Sequence, residues 1–151
     1  MKRLYGPVVA RDTIDAPPAD VYQVISDPNT YPDWLVGNTD VRKVDSEFPA
    51  PGASFDHSVG IAGPVSIDDS TEAVGAERNQ RVSLIVHVSL FHARVDLELA
   101  PRADGGTDIS FAERPSGFFG YLTPALRPLL HGRNRESLRR LRDRIADAAA
   151  A

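Results

Sequence analysis

The sequence predicts an α+β domain: one seven-stranded antiparallel sheet wrapped around a long C-terminal helix, with two short helices after the first strand. Three patterns lead there. Residues 118–151 carry an apolar stripe at helical spacing, residues 54–111 read as consecutive hairpins with one apolar face, and a lone strand pattern near the N-terminus is followed by short, proline-broken helical segments. A sheet with one apolar face must cover it, and the terminal helix is the only element long enough to do so.

Taken in order, Val8–Ile14 alternates as a first strand, and Asp15-Ala16-Pro17-Pro18 breaks it, with Asp15 placed to cap the next helical segment. Val21, Tyr22, Val24 and Ile25 make a short amphipathic helix that Asp27-Pro28-Asn29 ends. Tyr31-Pro32-Asp33-Trp34 reads as a further helical turn, and Thr39–Ser46 as a second strand. Phe48-Pro49-Ala50-Pro51-Gly52 is a turn-rich connection. In the third strand Phe55, His57 and Val59 share a face. In the fourth, after a turn over Gly60–Gly63, Val65, Ile67, Asp69, Thr71 and Ala73 do, and Gly75–Asn79 turns again. A tight turn at Ser89-Leu90 pairs Val88 with Phe91, Val86 with Ala93, Leu84 with Val95 and Val82 with Leu97. It also sets Arg81 against Glu98 and His87 against His92 on the outer face. A one-residue slip would scramble both faces, so this register is strongly specified. Asp104-Gly105-Gly106 turns into the seventh strand, with Ile109 and Phe111 inward.

The terminal helix places Leu122, Leu126, Leu129, Leu138, Leu141, Ile145 and Ala148 on one stripe, interrupted by a gap that Asn134 fills beside Arg133. About 30 residues make about 45 Å of helix. Pro124 and Pro128 predict a kink or a late start, with Thr123 as N-cap. From Phe118 onward seven arginines face three acids, while the rest of the chain is acidic, and the whole carries a net charge of −4. An acidic sheet against a basic helix face argues against nucleic-acid binding.

At 151 residues one domain is expected, spanning 1–151. No apolar run approaches the 18 or so residues of a membrane span, and the N-terminus lacks the apolar core of a signal peptide, so a cytoplasmic protein is expected. With no cysteine there is no disulfide and no thiol nucleophile. The four histidines have no i,i+4 partner and no carboxylate at ligand spacing, so neither a metal nor another cofactor is expected.

Thr13-Ile14-Asp15-Ala16-Pro17 leading into Val21-Tyr22 and Ile25, Asp27 followed by Tyr31-Pro32-Asp33-Trp34, Gly105-Gly106-Thr107 before the last strand, and the long terminal helix form a familiar set. On these residues, and over about Val8 to Ala148, the chain resembles the START-like helix-grip superfamily, in particular the bacterial polyketide cyclase/dehydrase-like (SRPBCC) proteins. The resemblance implies a seven-stranded sheet gripping the helix around a cavity that holds an apolar molecule in many relatives. Those relatives range from aromatase/cyclases to lipid and quinone carriers, plant hormone-binding proteins and chaperone co-activators, so the fold alone does not choose a function.

The expected cavity lining is Trp34, Phe55, Thr71, Leu84, Val86 and Val95 from the first half and the sheet, with Phe111, Phe118, Leu130 and Asn134 toward the helix. Trp34 packs there as a lid on the core or touches the ligand. Polar exceptions on the inward face are His57, Asp69, Thr71 and, at the end of the last strand's alternation, Glu113. Turning near Ala62 sets His57 opposite Ile67 and diagonal to Asp69. Such a pair is either structural or a general base, with the carboxylate orienting a ring that titrates near neutrality. Asp68 points to the other face, so Asp68-Asp69 is not a paired-carboxylate site. Three functions stand: binding of a small hydrophobic molecule of the polyketide, lipid or quinone class; a cyclase/dehydrase-like enzyme with His57 as base and Asp69 as orienter; and a protein-interaction module using the arginine face. The expected partner is a small hydrophobic ligand, with no integral membrane association and a monomer or weak homodimer.

Overall fold

The computed structural model describes residues 6–62, 65–88 and 91–151, with backbone alone at 61, 62, 65, 66, 88, 91, 118 and 119. The elements follow the expected order: β1 (Val8–Ile14), α1 (Pro18–Ile25), a 3-10 turn (Pro28–Thr30), α2 (Tyr31–Trp34), β2 (Asn38–Arg42), β3 (Ser54–Ala62), β4 (Val65–Glu77), β5 (Arg81–Val88), β6 (Phe91–Pro101), β7 (Thr107–Ser116) and α3 (Phe118–Ala150). All pairings are antiparallel, in the order β1-β7-β6-β5-β4-β3-β2. This is the helix-grip architecture: β1 closes back onto β7, and α3 lies along β1 and β7 with α2 beside it.

Alternation builds the core. In β7, Thr107, Ile109, Phe111, Glu113 and Pro115 are buried. With Leu84, Val95 and Leu97 from β5 and β6, Phe111 and Ile109 meet Leu138, Leu141 and Ile145 of α3 in one buried cluster. The β5–β6 register is as the sequence specifies, from Arg81 opposite Glu98 to Val88 opposite Phe91. The Ser89-Leu90 turn itself lies outside the described residues, as do Gly63 and Pro64.

Several expectations need correction. β3 pairs with β4 so that His57 faces Asp69 directly and Val59 faces Ile67. The pairing is centred one residue further along than Ala62, and a register shift between Gly60 and Ala62 moves it slightly further still at the end of the hairpin. β4 continues through Gly75 to Glu77 because a second shift between Ala73 and Gly75 keeps it paired with β5. Helix α1 starts without a side-chain cap, with Pro17 at the N-cap, so Asp15 does not close it. The late start of α3 does not occur. Gly117, at φ 68° and ψ −146°, turns the end of β7 straight into Phe118, in a region of backbone space that glycine alone adopts freely. Thr123 is therefore a buried residue inside the helix, not its cap.

The phase of the front of α3 also differs. Leu122 and Leu129 are exposed, Leu129 to 70 %, and Ala148 is exposed too. Thr123, Leu130, Asn134, Ser137, Leu138, Leu141 and Ile145 are buried, and they share one face of the helix. The buried stripe thus passes through polar residues in the middle of the helix. Its arginines tie the helix to the rest of the fold: Arg142 to Asp12 at 3.0 Å, Arg144 to Asp33 at 3.0 Å, and Arg127 to the carbonyls of Gly6 and Pro7. Among the described residues no helix is long and apolar enough to cross a membrane.

Candidate functional site: the cavity under α3

The inner face of the sheet, α2 with the segment after it, and the middle of α3 line a partly open cavity of about 70 Å³. Its apolar wall is Val59, Leu84, Val86, Val95, Leu97 and Phe111, with Trp34, Tyr31, Leu35 and Val36 on the other side. Its polar lining is His57, Thr71, Asn38, Glu113 and Arg133.

Trp34 and Tyr31 are fixed from behind. The Trp34 indole donates to Thr30 Oγ1 at 3.1 Å, and the Tyr31 hydroxyl donates to the Ile25 carbonyl at 2.6 Å. The rings meet edge to face at 5.3 Å. Burial pushes the Tyr31 phenol well above its ordinary pKa, so it serves as a neutral donor. Trp34 belongs to the core cluster and also lines the cavity. The chain then runs through Leu35–Asn38, with Gly37 at φ 90° making the corner. The Val36 amide donates to Ser137 Oγ on α3 at 3.0 Å, and the Gly60 amide to the Gly37 carbonyl at 3.1 Å. This segment is a wall strapped to both helix and sheet.

His57 is buried on β3, and its Nε2 is 2.9 Å from Thr71 Oγ1 on β4. Nδ1 makes no hydrogen bond. Burial lowers the ring's pKa, outweighing the pull of the Asp69 charge and of the Ser58 and Ser70 carbonyls toward the charged form. His57 is therefore held by Thr71, while Asp69 acts on it through charge. Asp68 takes the opposite face, bonded to Ser58 and Arg42.

Glu113 sits at an inward position of β7, opposite Val95 on β6 and Val8 on β1. It is 2 % exposed and pairs through Oε2 with Arg133 of α3. Burial raises its pKa, and the Arg133 guanidinium works against that rise. Oε1 makes no hydrogen bond, and neither does Asn38 Oδ1.

Of the residues singled out in the sequence, Trp34, His57, Thr71, Leu84, Val86, Val95 and Phe111 come together around the cavity. Asp69, Phe55, Leu130 and Asn134 do not line it. Phe55 is core, edge-on to Tyr31 and Phe48 at 5.5 and 5.3 Å. Asn134 is fully buried with neither amide atom hydrogen-bonded. The side chain of Phe118 lies outside the described residues. Sequence reasoning passes over Arg133 and the Leu35–Asn38 wall as site residues. Arginine on a long helix reads as solvated, and a short irregular segment has no period to detect.

Comparison with known proteins places this geometry. The family model for polyketide cyclase / dehydrase and lipid transport proteins matches residues 7–146. The chain belongs to that family. No curated protein matches. Among solved structures, SA2116 of Staphylococcus aureus, a protein of unknown function, is similar at a TM-score of 0.77 and 12 % identity, over 96 % of each chain. TTHA0849 of Thermus thermophilus is similar at 0.73 and 19 % identity, over 94 % of this chain and 98 % of that one. DynU16, from the dynemicin biosynthetic locus, is similar at 0.66 and 18 % identity, over 91 % of this chain but 46 % of its own. At these identities the likeness is one of fold.

Proposed function

We propose that this family member binds a small hydrophobic molecule, of the polyketide, lipid or quinone class, between the sheet and α3. The observation that carries the reading is the apolar cavity wall of Val59, Leu84, Val86, Val95, Leu97 and Phe111, interrupted at only a few polar points. The space, about 70 Å³, is smaller than such molecules, so loading requires its walls to move apart.

A second reading is favoured by one specific feature. His57 is held neutral by burial, with Nδ1 free of hydrogen bonds, on the cavity lining. A neutral imidazole there could remove a proton next to a ligand carbonyl, the step that aldol cyclisation or dehydration requires, with the Asp69 charge favouring the imidazolium that forms. Native mass spectrometry of the purified protein, followed by extraction, tests both readings. A stoichiometric apolar molecule supports binding. His57→Ala then separates them, since a carrier keeps its load and a catalyst loses turnover. An unloaded protein that shows no thermal shift with lipid, quinone and polyketide panels would overturn the binding reading.

A further inference from the structure

Glu113 Oε1, His57 Nδ1 and Asn38 Oδ1 are buried, make no hydrogen bond within the protein, and belong to residues that line the same cavity. Their residues are 2 %, 1 % and 7 % exposed. They come from β7, β3 and β2, so three separate elements contribute polar residues to the lining of one cavity. A buried polar atom without a partner is costly, and a bound molecule that pairs with it recovers that cost only in the complex.

The kinds of atom set the chemistry. Arg133 engages Glu113 Oε2, which leaves Oε1 as the oxygen without a partner, an acceptor in the ionised carboxyl group. Asn38 Oδ1 is an amide oxygen and accepts. His57 Nδ1 accepts whenever Nε2 donates to Thr71 Oγ1. Acceptors therefore dominate among these unpartnered atoms, and Arg133 directs its Nη2 at Glu113 Oε2. A ketone, ether or ester would bring further acceptors and leave these atoms unpaired. A carboxylate would also meet the negative charge of Glu113. A hydroxyl group supplies what is missing.

We propose that the molecule this cavity selects is neutral and carries at least one hydroxyl, an alcohol or phenol, whose O–H donates to Glu113 Oε1 while its apolar body lies on Leu84, Val86, Val95 and Phe111. This rests on the reading of the cavity as a ligand site and narrows its chemistry. A site built around hydrogen bonds to a hydroxyl rejects an analogue lacking it far more strongly than an apolar wall rejects a missing methylene.

The cavity's 70 Å³ is about half of the ~150 Å³ that suffices for benzene, so single-ring probes demand only a small movement of the walls. The test is NMR titration of the full chain at pH 7.5 with phenol, anisole, toluene and benzoate. Phenol is expected to bind about tenfold or more tighter than anisole or toluene, with benzoate weakest and with contacts from the phenol ring to residues 111–113. Glu113→Gln, which keeps the shape but can present an amide donor, is expected to bring phenol and anisole within about threefold of each other. If that variant does not fold, the ranking and the contacts in the unaltered protein decide alone. Equal binding of phenol, anisole and toluene, or a preference for benzoate, overturns the hydroxyl assignment and leaves the binding reading intact. No binding by any of the four, together with no thermal shift with the larger panels, overturns both.

Discussion

Arg133, in the middle of α3, reaches across the edge of the cavity to the buried carboxylate of Glu113 on β7, and both side chains line the space they bridge. The pair joins helix to sheet where the buried stripe of α3 turns polar. Removing Arg133 leaves a buried charge with no counter-ion, which for a fully buried pair costs ~3–5 kcal/mol. Arg133 is 38 % exposed, so solvent screens part of the loss and Arg133→Met is expected to cost about 1–3 kcal/mol. Arg133→Met with Glu113→Leu is expected to recover most of it, because no charge remains to be desolvated. Urea denaturation of the three proteins at pH 7.5 measures this. A single variant within about 0.5 kcal/mol of the parent would mean that the pair does not hold the helix down.

His57 gives a pH dependence with a defined sign. Its folded-state pKa is lowered from 6.5, chiefly by burial, so the unfolded chain binds the proton more readily. Stability from this group is complete above the unfolded value and is lost as pH falls from about 6.5 through the lower folded value, at no more than about 1.4 kcal/mol per pH unit. His57→Gln is expected to flatten that part of the stability curve. NMR titration should place the ring's midpoint below 6.5; a midpoint at or above that value would show that the Asp69 charge, not burial, dominates.

How much of this is legible in the sequence differs from element to element, for physical reasons. The β5–β6 pairing can be read residue by residue because both faces are patterned, apolar inside and, Ile85 apart, polar outside. The β3–β4 pairing reads one residue short at its turn, since strands that carry Asp, Ser and Gly on both sides specify register weakly and the shift at Gly60 leaves no trace in composition. The apolar lining from Leu84 to Phe111 follows from alternation. Arg133 and Glu113 stand 20 positions apart, and neither spacing nor residue type pairs them in advance.

Asn134 tests the cost of the polar middle of the helix. It is fully buried, and neither amide atom is hydrogen-bonded within the protein. Asn134→Leu keeps nearly the same shape, improves helix propensity and removes two unsatisfied atoms. A stabilisation of about 1–3 kcal/mol is expected from the relief of desolvation. Chemical denaturation reads it directly. A destabilised variant would mean that Asn134 meets polar partners in solution, which would extend the cavity's polar lining onto the helix.

The phase of α3 is settled by two neighbours of the same type. Hydrophobicity alone places Leu129 on the buried stripe, yet it is 70 % exposed while Leu130 is 9 % exposed. The stripe that docks runs through Thr123, Asn134 and Ser137, and these carry no apolar signal, so the leucines on the solvent side dominate the pattern. Leu129→Glu is therefore expected to change stability by less than about 0.5 kcal/mol, as for an ordinary surface site. Leu130→Ala should cost about 2–3 kcal/mol, near the low end of the range for buried leucines because it stands outside the main core cluster. The two melting curves suffice. If Leu129→Glu proves the more damaging, its outward face is covered in solution, and the front of α3 is an interface between copies of the chain.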